Sequence, residues 1–205
     1  MFFHISLFYY MAKTIGITGG IGSGKTTVCK IFEVLGVPIF YSDDEAKFII
    51  ENNEFVIQKI KNLFGNEAYF ENGKYNKSFV ASKIFHDKSL LLQLNSIVHP
   101  IVIDANQLWN KRNSHYPYII NESALIFETG KYKNFDKTIL IYSPEELRIK
   151  RVMIRDDISR YNVLARIKNQ MSDLEKIKFA DRVIINNYGI SLLRQIFKIH
   201  RDFMK

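Results

Sequence analysis

The residues best equipped for chemistry lie in one stretch, Gly19-Gly20-Ile21-Gly22-Ser23-Gly24-Lys25-Thr26. It spells Gly, four residues, then Gly-Lys-Thr. An apolar run, Thr14-Ile15-Gly16-Ile17-Thr18, precedes it and a helical pattern from Thr27 follows, which is the context a phosphate loop requires. Glycines let backbone N–H groups turn onto phosphate oxygens, and the positive end of the new helix adds to the same spot. In that reading Gly20, Ile21, Gly22, Ser23, Gly24 and Thr27 contribute to the nucleotide site. Lys25 supplies a point charge to the β/γ-phosphates, and the Thr26 hydroxyl ligates Mg²⁺.

A nucleoside triphosphate needs an acceptor and a way to neutralise charge. Asp43 follows a short apolar run, Val37-Pro38-Ile39-Phe40-Tyr41, and either caps a helix or serves as a base facing the γ-phosphate. Glu122 ends another apolar run, Tyr118-Ile119-Ile120-Asn121, and is either a second acid near Mg²⁺ or a structural acid. Arg151, Arg155, Arg160 and Arg166 crowd one segment. Planar, permanently charged donors on a closing segment suit a phosphoryl transition state, so a mobile lid carrying Arg155 and Arg160 is expected over about residues 155–170.

These groups need a scaffold. Strand, helix, strand within about thirty residues makes a βαβ unit, and five apolar runs predict a three-layer α/β fold with a five-stranded parallel sheet. The strands are expected at 13–18, 37–41, 117–122, 136–142 and 180–187. Between 53 and 113 the strand signal gives way to helical spacing. The expected organisation is therefore a nucleotide-binding core, 13–52 and 114–205, with a helical acceptor-binding insertion at 53–113. Within the insertion His99-Pro100 is expected to interrupt the helical run, with Pro100 in the first turn of a new helix. Residues 1–12 read as an N-terminal extension, with Met11 a natural start.

The 205 residues, 47% hydrophobic, can bury a core. A formal charge of +8 suits phosphorylated small molecules, since the basic residues are scattered and form no stripe with interleaved aromatics that would indicate nucleic acid. No stretch is long and apolar enough to span a bilayer. Cys29, the single cysteine, reads as a core residue in a reducing, cytoplasmic setting. Nothing in the sequence sets an oligomeric state.

Taken together, Gly16-Ile-Thr-Gly-Gly-Ile-Gly-Ser-Gly-Lys-Thr26, Ser42-Asp43 with Ala46, and His99-Pro100 resemble the dephospho-coenzyme A kinase family. So do Leu125-Ile-Phe-Glu128, Arg155-Asp-Asp-Ile-Ser159-Arg160, Arg166 with Gln170, and Ala180-Asp-Arg-Val-Ile-Ile-Asn186. The family lies in the nucleoside-monophosphate-kinase-like branch of phosphate-loop proteins. The resemblance implies transfer of phosphate from ATP, with Mg²⁺, to the ribose 3′-hydroxyl of dephospho-CoA. It makes Asp43 the general base and Arg155 with Arg160 the lid donors. It points to Arg151 and Asn186 for the nucleotide, and to the insertion containing His99 for the acceptor. Two positions depart from the family pattern: Tyr41 stands where the first acid of Asp-Ala-Asp is usual, and Ala124 where Pro precedes Leu-Leu-Phe-Glu. The residues alone also admit another phosphate-loop small-molecule kinase. A nucleotide switch would need a guanine-reading Asn-Lys-x-Asp element, which is not found.

Overall fold

The structure, a computed structural model, describes residues 11–205, the side chain of Lys88 excepted. Residues 1–10 of the expected N-terminal extension lie outside them. In chain order the elements are β1 (Lys13–Thr18), α1 (Lys25–Val34), β2 (Ile39–Tyr41), α2 (Ser42–Asn52), α3 (Glu54–Phe64), α4 (Lys77–His86) and α5 (Lys88–Arg112). Then follow β3 (Tyr118–Glu122), β4 (Lys137–Tyr142), α6 (Glu145–Asp156), α7 (Arg160–Lys168), α8 (Asp173–Phe179), β5 (Arg182–Ile185) and α9 (Leu192–Phe203).

The strands lie in the order β2-β3-β1-β4-β5 and run parallel. Strands covered on both faces cannot alternate apolar with polar residues, and these do not. All five residues of β3 are buried, as are Ile15 to Thr18 of β1 and Thr138 to Ile141 of β4. In register, Ile17 of β1 stands beside Glu122 of β3 and Ile139 of β4. The chain leaves β1 for one side of the sheet and later crosses to the other. The carboxyl end of β1 is thus a switch point, where a crevice for ligand opens in such sheets. The phosphate-loop sequence begins there.

Contacts divide the chain into two compact units: the described residues up to Phe40 with Asn110–Lys205, and Tyr41–Trp109. In the first, α9 buries Ile196, Ile199 and Phe203, and His200 Nδ1 lies 2.6 Å from the hydroxyl of Tyr118, whose phenol is held in its neutral form by burial. Asp181 ties β4 to the start of β5: its carboxylate accepts bonds from Lys137 Nζ and Thr138 N at 2.9 Å each, and from Thr138 Oγ1 at 3.0 Å. The second unit is helical. Asn53 and Asn76 cap α3 and α4 through bonds from Val56 N and Phe79 N. An antiparallel bridge between Tyr69 and Tyr75 closes the turn-rich connection.

One expectation fails here. Pro100 does not begin a new helix; α5 runs through it from Lys88 to Arg112. Proline removes one backbone bond and crowds the preceding turn. However, Leu94, Val98 and Val102 are all buried at a spacing of four across the proline, so an apolar stripe holds the helix together. Among the described residues no helix is long and apolar enough to cross a membrane.

Burial opposes ionisation of Asp181, but the bonds from Lys137 and Thr138 outweigh it and hold the carboxyl below the usual aspartate value of ~3.9. That contribution to stability is complete above the unfolded pKa and is lost as pH falls through the lower folded value. We expect Asp181→Ala to destabilise the chain by about 1 kcal/mol at neutral pH, measured by denaturant unfolding. The difference from wild type should shrink under acid, and a difference independent of pH would contradict this role.

Candidate active site

Between β1 and α1 the chain folds back on itself, with Ser23 N donating to Gly20 O at 3.0 Å. Gly24 occupies the position before α1 in the left-handed region, φ 95°, which glycine adopts without strain. A side chain there would also collide with Asn186 Nδ2. Most of the loop's carbonyls accept hydrogen bonds. Lys25 Nζ donates to Gly19 O at 3.1 Å, Arg151 Nη1 to Gly22 O at 3.3 Å, and Asn186 Nδ2 to Ser23 O at 2.7 Å. The opening N–H groups of α1 have no acceptor within the helix, so this end of the loop presents donors. Anions are favoured there by geometry and by the helix dipole.

Arg151 also reaches Ser143 Oγ at 3.1 Å and both the backbone and side-chain oxygens of Asn186 at 3.4 Å. Lys25 Nζ sits 3.8 Å from Glu122 Oε1, and both side chains are largely shielded from solvent. Thr26 and Thr27 are exposed in the first turn of α1. Among the described residues no group of three or more His, Cys, Asp or Glu could hold a metal. Mg²⁺ does not need one: it binds through one or two protein oxygens, with water and substrate phosphates completing its shell. The exposed Thr26 hydroxyl, at the donor end of the loop, fits that requirement.

The arginines from the last turn of α6 onward are paired. Arg155 bonds Asp156 at 2.7 and 3.1 Å, Arg160 grips Glu146 through two bonds of 2.8 and 2.6 Å, and Arg166 reaches Asp156 at 2.9 Å. The Arg155 and Arg160 bonds hold Asp156 and Glu146 below the usual carboxylate range. All three arginines are at least half exposed. Exposed pairs of this kind contribute little, so their exchange for phosphate oxygens costs little.

Asp43 and His99 belong to the second unit. Asp43 is exposed in the first turn of α2, two residues beyond the carboxyl end of β2. It does not cap that helix: the cap position is Tyr41, with no side-chain bond to the helix start. His99 is exposed within α5.

Several contributors escaped the sequence reading. Arg148 is only 4% exposed, abuts Gly20, and is paired with Asp173 at 3.0 Å. Lys176, fully buried, lies 2.8 Å from Glu128, which also accepts from Met171 N at 3.2 Å. Asp173 and Lys176 are carried by α8, which the sequence reading passed over. Its signal was present in Ser172 and Glu175, which form a reciprocal capping box.

A phosphate loop at the switch point of a parallel sheet, with guanidinium donors on the helices that follow, defines a phosphate-loop phosphotransferase. The comparisons agree. The sequence model of the dephospho-CoA kinase family matches residues 13–191. A dephospho-CoA kinase of Bacteroides fragilis is 38% identical over 189 residues, 92% of each chain. One from Salinibacter ruber is 39% identical over 184 residues, 89% of this chain and 92% of its own. A solved dephospho-CoA kinase from Campylobacter jejuni superposes with a TM-score of 0.68 at 28% identity, covering 95% of this chain and 98% of its own. An Acinetobacter baumannii shikimate kinase, at 17% identity and a TM-score of 0.52 over 96% of this chain and 95% of its own, shares the fold. The chain belongs to the dephospho-CoA kinase family.

Gly24→Ala is expected to weaken ATP binding by at least about tenfold, measured by titration calorimetry, since it combines backbone strain with displacement of Asn186. Gly73→Ala is the control. It has a similarly positive φ of 79° but open space around it, and ATP affinity should not change.

Proposed function

We propose that this chain catalyses transfer of the γ-phosphoryl group of ATP to the ribose 3′-hydroxyl of dephospho-CoA, giving ADP and CoA, the last step of CoA biosynthesis. The observation that carries the reading is the family match over residues 13–191, which includes the braced phosphate loop. In this account the loop amides of Gly20, Gly22 and Gly24 to Thr27 cradle the phosphates, while those of Ile21 and Ser23 are spent on Gln170 and Gly20 and shape the loop, and Lys25 places its charge at the β/γ-phosphates. Thr26 would hold Mg²⁺, which would supply neutralisation of the charge on the phosphates. Arg151 and Asn186 serve the nucleotide through the loop, by occupying its carbonyls. Arg155 and Arg160 trade Asp156 and Glu146 for phosphoryl oxygens as charge spreads over them.

Asp43 is the base in this proposal. Its carboxylate takes the proton of the 3′-hydroxyl as that oxygen bonds to the γ-phosphorus, and the bond to the bridging oxygen breaks to release ADP. Support comes from its place past the carboxyl end of β2, where substrates approach in parallel sheets, and from its freedom from a capping duty. The Tyr41–Trp109 unit, with His99, would receive the acceptor. A buried, unoxidised Cys29 accords with work in the reducing cytoplasm.

Purified protein should release ADP only when dephospho-CoA is supplied; release driven by nucleoside monophosphates instead would overturn the acceptor assignment. Asp43→Asn should keep ATP affinity while kcat falls by about 10²-fold or more. Unchanged kcat would remove Asp43 from the chemistry.

A further inference from the structure

The crest of the phosphate loop is fastened in two independent ways, to the cluster that joins α6 with the arginine helix α7 and to the turn after α7, and both pass through Ile21. Its side chain packs against the buried cluster of Ile149 and Val152 from α6 and Val163 from α7, on which Ile167 of α7 also packs. Its backbone N–H, which would otherwise be one of the loop's outward donors, is given to Gln170 Oε1 at 2.9 Å. Gln170 stands two residues past the end of α7 and is itself bonded to the last turn, with its N–H donating to Ile167 O at 2.9 Å. The neighbouring Gly20 is backed by Arg148, which Asp173, three residues beyond Gln170, holds in place.

We infer that Gln170 is a positioning residue, whose side-chain carbonyl holds the crest of the phosphate loop in its nucleotide-ready shape and locks that crest to the foot of α7. The physical reason is economy of ordering. A loop that must be shaped each time it binds loses the entropy of the residues it fixes, while one already held by Ile21 does not. The same bond makes the loop and the helix carrying Arg160 and Arg166 move as one body, so cradle and guanidinium donors stay in register. The inference rests on reading the loop as the ATP site.

Two measurements test it. Gln170→Leu keeps a side chain of comparable bulk and removes the acceptor. The KM for ATP should rise about tenfold, the cost of re-ordering one or two loop residues, with the KM for dephospho-CoA unchanged. The melting temperature should fall by no more than about 4 °C. A purely structural bond would lower the melting temperature and leave that split untouched. In wild-type protein without nucleotide, the Ile21 amide should exchange its hydrogen at least about tenfold more slowly than an unstructured amide, and Gln170→Leu should abolish this while α1 stays protected. An unprotected Ile21 amide in wild type, or an unchanged KM for ATP in the variant, would overturn the inference. Because the wild-type exchange result needs neither turnover nor a folded variant, it separates this inference from the ATP reading, which instead falls if wild type shows no ATP-dependent transfer.

Discussion

A backbone can offer its N–H groups to a phosphate only if its carbonyls have somewhere else to go. That constraint shapes the first unit of this chain. Gly19, Gly22 and Ser23 give their oxygens to Lys25, Arg151 and Asn186, and those three donors come from α1, from α6 and from the residue after β5. The sheet's order matters for the same reason. With β1 central and β4 and β5 to one side, the ends of several strands and the start of α6 meet at the loop. Every brace is then a side chain on a rigid element or directly beside one, and the alternative, a carbonyl turned into the cradle beside a phosphate, is excluded by bonds already made.

Charge is handled differently from shape. The shielded pair of Lys25 and Glu122 and the buried pair of Arg148 and Asp173 sit against the loop, where breaking one partner strands the other. Farther along, the half-exposed Arg155, Arg160 and Arg166 hold the partly exposed Asp156 and the exposed Glu146 through bonds that solvent competes for. Cations against the loop are shielded with their partners, and those farther along stay open to water.

The sequence made the loop, the parallel sheet and the closing helix legible because each is a local pattern: glycine spacing, doubly buried apolar runs, an amphipathic repeat. The arginine cluster was visible as composition. What stayed hidden was non-local or unconventional. Arg151 meets Gly22 across 129 residues, and Gln170 meets Ile21 across 149, so no window of sequence could join them. The helix α8 is seven residues long, too short for periodicity to declare it, and only its capping pair marked it. Pro100 misled because a local breaking rule was overridden by the stripe of Leu94, Val98 and Val102. Asp43 looked equally able to cap or to catalyse. The fold removes the capping role without touching the other.

The central claim is that the cradle exists before its ligand, held open by its own braces. Crystal structures of the protein with and without ADP test it most directly. The account predicts that the loop from Gly19 to Thr26 superposes within about 1 Å between the two, with Arg151 and Asn186 still bonded to loop carbonyls and the β-phosphate on the amides. A loop that refolds on binding, with Arg151 or Asn186 leaving Gly22 and Ser23 to grip the nucleotide directly, would contradict it.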